Sequence, residues 1–162
     1  MDNQEVKQVS KWDYDVKKFK SIDEVLDFAI GREIDAQSFY MKLSSIVKDD
    51  KLVRSLIDLA AEELEHETKL QAVRLGKAEI GTVEIGNLDI VDYAKDVVPT
   101  PQMNYIDLLV IGMKKEETSR KLYTDLAAIV EQETLKNLFR KLAMEEADHK
   151  LRFELEYDLM TF

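Results

Sequence analysis

The chain has two histidines, His66 and His149, and each follows a glutamate by three residues, as Glu63-Leu64-Glu65-His66 and Glu146-Ala147-Asp148-His149. On an α-helix that step keeps glutamate and histidine on one face, roughly 4.5 Å apart along the axis. Each motif also has a lone glutamate 30 residues upstream, Glu33 before Glu63 and Glu116 before Glu146. A single Glu-x-x-His is a weak signal, since most such pairs face solvent. Two of them, using both histidines and each matched by a glutamate at the same spacing, gather four carboxylates and two imidazoles. Two divalent cations balance four carboxylates, and this donor mixture suits iron or manganese. A pair of single glutamates with a pair of Glu-x-x-His motifs is a known way to hold two metals in a helix-bundle core.

The elements that position these residues follow from an internal repeat. A shift of 83 residues brings Glu33 onto Glu116, Tyr40 onto Tyr123, Leu43 onto Leu126 and Ile46-Val47 onto Ile129-Val130. It also brings Leu52 onto Leu135, Leu59-Ala60 onto Leu142-Ala143, Glu62-Glu63 onto Glu145-Glu146 and His66 onto His149, making 11 identities over residues 33–66 without a gap. The chain is two copies of one unit. Helical periodicity predicts helices over about 21–48, 50–75, 104–130 and 132–157. Ser21 and Glu24 read as a capping box, Asp49 or Asp50 caps the second start, and Gly76 suits the position past its end. The turns at 48–50 and 131–133 are short, so each repeat is an antiparallel hairpin.

Residues 76–103 hold Gly76, Gly81, Gly86, Pro99 and Pro101, a weak alternating segment (Ile80, Val83, Ile85) and a candidate short helix at 88–96. An extended chain of about 12 residues spans a helix of about 40 Å, so this connection can cross the whole bundle and reverse the third helix relative to a simple up-down arrangement. Residues 1–20 read as an N-terminal arm whose Trp12, Tyr14 and Phe19 are expected to pack on the bundle or on a second subunit. The bundle itself is expected over 21–162, as repeats over about 21–75 and 104–160 joined by the crossover.

Each helix carries a seam of alternating four- and three-residue steps. The first reads Ile22, Leu26, Ala29, Glu33, Ala36, Tyr40, Leu43, Val47, and the fourth Leu135, Phe139, Leu142, Glu146, His149, Phe153. The seams are apolar or neutral except at the glutamates and histidines. A hairpin folded at residue 48 sets Glu33 level with Glu63, and one folded at 131 sets Glu116 level with Glu146, each about 22 Å from its turn. An isolated buried charge costs several kcal/mol, and no Lys or Arg occupies these seams to offset it. Bound cations are the expected remedy. Glu62, Glu65, Glu67, Glu117, Glu145 and Asp148 lie off the seam and read as solvated face, with Glu117 the substitute ligand if the third helix is rotated. Tyr40 and Tyr123, one heptad beyond Glu33 and Glu116, either pack or hydrogen-bond the ligand carboxylates.

Composition excludes several classes. There is no cysteine among 162 residues, which removes disulfides, zinc ribbons, thiolate iron sites and cysteine nucleophiles. The net charge of −10, without a basic block, argues against nucleic acid and anionic membrane. The longest apolar run, about 108–113, is far short of a membrane span, and the polar N-terminus lacks a signal core, so a cytoplasmic protein is expected. No P-loop, dinucleotide loop or serine triad signature appears.

The strings AIGREIDAQSFYMKL, LAAEELEHE, GMKKEETSRKLYTDLA and LAMEEADHKLRFELEYD resemble the rubrerythrin-like branch of the ferritin-like superfamily, over about residues 21–160. The resemblance implies an all-α ferritin-like four-helix bundle of two hairpins joined by a long crossover. It implies two iron ions, or manganese or a mixed pair, with Glu33 and Glu116 as outer ligands, Glu63 and Glu146 bridging, and His66 and His149 each capping one metal. Rubrerythrins proper carry a cysteine-ligated rubredoxin-like domain that feeds electrons to the diiron centre. This cysteine-free chain is expected to draw them from an external donor such as a rubredoxin. Rubrerythrins also have an additional glutamate near the third-helix ligand, and here that place is Ser119. The implied activity is a diiron-carboxylate oxidoreductase reducing hydrogen peroxide or dioxygen. The alternatives are a ferroxidase or iron-handling protein, and a non-catalytic metal-stabilised bundle. A homodimer is expected.

Overall fold

Four helices account for the regular structure of the computed structural model, which describes residues 19–76, Ile85, Leu88, Tyr93 and 99–162. They are α1 (Ile22–Ile46), α2 (Asp50–Arg74), α3 (Tyr105–Ile129) and α4 (Glu133–Thr161). No strand occurs among the described residues. The boundaries fall within two residues of those expected, except that α4 continues to Thr161 rather than ending near Tyr157. Trp12 and Tyr14, and most of the proposed alternating segment and short helix at 80–96, lie outside the described residues.

The caps explain the starts. Ser21 accepts from the Glu24 backbone N–H, but Glu24 turns to the N–H of Lys20 (2.6 Å), so the box at α1 closes one residue earlier than its motif implies. Asp49 accepts from both Lys51 and Leu52. The fully reciprocal box is at α3, between Asn104 and Asp107. Gly76 ends α2 at φ 77°, a left-handed geometry that a side chain would strain.

Packing fixes the directions. The start of α3 (Leu108, Leu109, Ile111) packs with the end of α1 (Phe39, Tyr40, Leu43), the start of α2 (Leu56, Leu59) and Phe153 of α4. The end of α3 (Leu122, Leu126) packs with Val25 to Ile30 of α1, with Leu70 and Val73 of α2, and with Leu135 to Ala143 of α4. Helix α3 therefore runs antiparallel to α1 and parallel to α2, and the connection between α2 and α3 must traverse the bundle. Tyr93 of that connection is buried at the α1–α3 seam. Its ring lies 6.3 Å from that of Phe19, and its hydroxyl donates to Asp125 (2.6 Å). Among the described residues no helix is long and apolar enough to cross a membrane.

Helix α3 carries Gly112 on the seam. A Cβ there would sit 3.1 Å from the Phe153 ring, which is itself packed on Tyr40 at 5.4 Å between ring centres. The Gly112→Ala change gains helix propensity of about 1 kcal/mol but overpacks the core, which costs about 1–3 kcal/mol. A net loss of about 1 kcal/mol is expected in urea denaturation. In a Phe153→Leu background the same change should become neutral or stabilising. A gain in both backgrounds would show that the ring does not confine this position.

Candidate metal centre

Halfway along the bundle one residue or pair from each helix points inward. All six, Glu33 from α1, Glu63 and His66 from α2, Glu116 from α3, and Glu146 and His149 from α4, are at most 2% exposed. The helical phase decides this: each occupies the seam position its apolar neighbours fill one turn away. Their donor atoms form two groups, Glu33, Glu63, His66 and Glu146, and Glu63, Glu116, Glu146 and His149, each with its atoms within 4.8 Å of one another. Glu63 and Glu146 belong to both. The histidines cross between repeats: His66 Nδ1 lies 2.7 Å from Glu146, and His149 Nδ1 lies 2.6 Å from Glu63. Their rings stack 5.7 Å apart at 11°.

Two acids expected to be solvated lie against the site instead. The Nε2 of His66 bonds Glu145 at 2.6 Å, and that of His149 bonds Glu62 at 2.5 Å. Glu62 is also held by Arg152 (3.3 Å). A histidine that engages a carboxylate through Nε2 has its tautomer and ring angle fixed, so that Nδ1 faces the centre. The sequence signal was the doubled Glu-Glu, which is identical in both repeats. Glu65 and Asp148 are exposed, and Glu67 accepts from Gln37. Glu117 does not substitute for Glu116: Arg120 and Lys150 hold it outside and keep its pKa low, at about 2.

Without a cation, protons neutralise the centre. Burial opposes charge on His66, but the carboxylates of Glu146, Glu33 and Glu63 outweigh it and raise its pKa well above the ordinary value. Glu116, Glu146 and Glu63 do the same for His149. Burial and the neighbouring charges of Glu63 and Glu146 push Glu33 up, and burial with Glu146 pushes Glu116 up, so both hold protons. Glu63 and Glu146 face the same burial, yet the proton-bearing glutamates and imidazoles packed against them hold them low and ionised. Two imidazolium charges then face two carboxylates.

The tyrosines divide. The Tyr123 hydroxyl donates to Glu33 across the repeats, whereas the Tyr40 hydroxyl is buried without a partner and its ring packs on Phe39 and Phe153. Sequence reasoning missed Arg32. Its guanidinium runs between α1 and α3, where Nε donates to Ser119 Oγ (3.3 Å) and Nη1 and Nη2 donate to the carbonyls of Tyr93 and Lys115 (2.9 and 3.1 Å). A cavity of about 10 Å³ lies beside it, lined in part by Glu63, Glu116 and Glu146, with room for about one water. Nothing in the seam pattern could reveal this arginine, since it lies off the seam.

The arrangement fits a pair of cations. Glu63 Oε1, Glu116 Oε2 and His149 Nδ1 are buried without a hydrogen-bond partner. His149 Nδ1 and Glu63 Oε1 approach to 2.6 Å without hydrogen-bond alignment, as two ligands aimed at one ion would.

A family model described as Rubrerythrin matches residues 24–157. Among solved structures, a hypothetical protein from Pyrococcus furiosus superposes with a TM-score of 0.69 at 30% identity, covering 86% of this chain and 90% of that one. No curated protein matches at a significant level.

Two outcomes are expected of the metal-free protein. Tyr123→Phe removes a buried donor from Glu33 and should lower unfolding free energy by about 1–3 kcal/mol. Tyr40→Phe removes a buried hydroxyl that has no partner and should leave unfolding free energy unchanged or raise it. Equal losses in urea titrations would contradict the asymmetry. Anaerobic addition of a divalent metal near neutral pH should release about four protons per chain as two cations displace those on His66, His149, Glu33 and Glu116. Affinity should therefore rise with pH. Indicator-dye titration measures this, and binding without proton release would refute the protonated resting state.

Proposed function

The chain belongs to the rubrerythrin family, and from that premise we propose that it is a diiron-carboxylate oxidoreductase reducing hydrogen peroxide or dioxygen with electrons from an external donor protein. The observation that carries the reading is the membership of Glu63 and Glu146 in both ligand groups. Two carboxylates common to two groups are what a pair of neighbouring ions needs as bridges. Glu33 and His66 then complete one site, and Glu116 and His149 the other. Two ferrous ions held there would supply one electron each, which would match the two-electron cleavage of an O–O bond.

The chain's own groups prepare that chemistry. Glu145 and Glu62 orient the two imidazoles through Nε2–H, leaving Nδ1 for metal. Burial, then the charges of Glu33 and Glu146, keep the Tyr123 hydroxyl protonated, so it donates to Glu33 instead of ionising. The apolar layers above and below exclude water. The small cavity beside Arg32 and Ser119 has room for about one water and none for an organic substrate.

One observation favours a second reading, ferroxidase or iron handling. A cleft of about 220 Å³ at the α2–α4 surface is lined by Glu62, Glu65, Glu145, Asp148 and Arg152 and reaches His149, so four acids against one cation border an approach to the centre.

Anaerobic loading should give two irons per chain, lost in the Glu63→Ala, Glu146→Ala double variant. Stopped-flow mixing of the ferrous protein with peroxide should give oxidation much faster than that of free Fe(II). A rate no greater than the free ion's would remove the oxidoreductase reading. Uptake of iron well beyond two per chain under dioxygen would favour iron handling.

A further inference from the structure

The internal repeat supplies a control for every groove of this protein, since each wall residue has a counterpart 83 positions away. Helices α1 and α3 meet along one seam with two ends. At the end that holds the start of α1, Val25, Leu122 and Leu126 pack with Phe19 and Tyr93 in one buried cluster. The Phe19 ring lies 5.3 Å from that of Phe28, and the Tyr93 hydroxyl donates to Asp125 (2.6 Å). Two aromatic side chains close that groove, and a carboxylate holds the polar tip of one of them.

At the opposite end the same groove is open. Leu108, Phe39 and Leu43 are the counterparts of Val25, Leu122 and Leu126, and with Ile46 and Met103 they line a pocket of about 320 Å³. The position that answers to Phe19 is Gln102, which is exposed. The position that answers to Asp125 is Lys42, on the edge of the pocket. Among the described residues the Lys42 ammonium has no ion-pair partner. Thr100 adds a hydroxyl to the lining.

These differences set the chemistry of a ligand. The walls are apolar, and the volume is near the lower bound of about 300–1,000 Å³ for ligand pockets, so a small apolar body fits. The end of α1 and the start of α3 bring opposite dipole ends together, whose fields offset. Lys42 then sets the sign. A lysine near a helix C-terminus also suits the dipole, but that accounts for the charge and not for the open apolar pocket beside it. Tyr93 brings its groove a ring with a proton donor to meet an acid. The counterpart groove, with an amine in place of the acid, suits a ring that carries an anion.

We propose that this pocket is a binding site for a small aromatic carboxylate, whose ring lies against Phe39 and Leu108 and whose carboxylate meets Lys42. The site is separate from the metal centre and does not depend on what the centre holds.

Titration calorimetry of the full chain without added metal, so that no ion competes for the carboxylate, should show one benzoate per chain with a Kd of about 1 mM or tighter. Benzylammonium, a similar ring of opposite charge, should bind at least about tenfold more weakly. Benzoate should move the methyl resonance of Met103 by its ring current and leave that of Met144, on the α3–α4 surface, in place. Lys42→Glu, at an exposed position, should keep the helical circular dichroism and reverse the preference between the two probes. Ile46→Trp should fill the pocket and remove benzoate binding. No benzoate binding at about 10 mM overturns the proposal. So does equal affinity for the two probes, an unchanged preference in Lys42→Glu, or full benzoate binding in Ile46→Trp.

Discussion

Four carboxylates and two imidazoles at one height of an apolar bundle constrain every other part of this protein. Desolvation makes each lone charge cost several kcal/mol, so the centre must be neutral overall in any state that stays folded. With protons, Glu33 and Glu116 are pushed up and neutral while two imidazoliums face Glu63 and Glu146. Two divalent cations carry the same total charge as the four protons they would displace. One cage thus has two balanced fillings.

That balance needs every donor at its height within a fraction of a helical turn. The bundle provides it by duplication. Each hairpin sets a glutamate level with a Glu-x-x-His pair by simple counting from its turn. The crossover then inverts the second hairpin so that equal heights coincide. Tyr93 pins this long connection where it passes the centre, through Arg32 on one side and Asp125 on the other. The histidines reach across to the other repeat's glutamate, so neither hairpin holds a complete ligand group alone. Departures from the two-fold are informative in this light. Tyr123 bonds Glu33 while Tyr40 bonds nothing.

The helices, the turns, the repeat and the six inward residues were legible in the order of the amino acids. The physical reason is periodicity. A four-three seam shows which face is buried, and an acid on that face is visible as an exception. The caps of α1 and α2 were legible as well, to within the one-residue change of partner at Glu24, whereas the reciprocal box between Asn104 and Asp107 was not. Tertiary structure alone decided three matters. It assigned Glu62 and Glu145 to the histidines, because an acid one residue off a seam points to solvent or to a neighbouring helix according to the interhelical rotation, which a pattern does not encode. It separated Tyr40 from Tyr123, because equivalent sequence positions meet partners on different helices. It buried Arg32, because a long side chain placed off the seam takes its destination from whatever lies across the gap, here the carbonyls of Tyr93 and Lys115. Periodicity specifies where a side chain leaves its own helix, and only the packed bundle specifies what it meets.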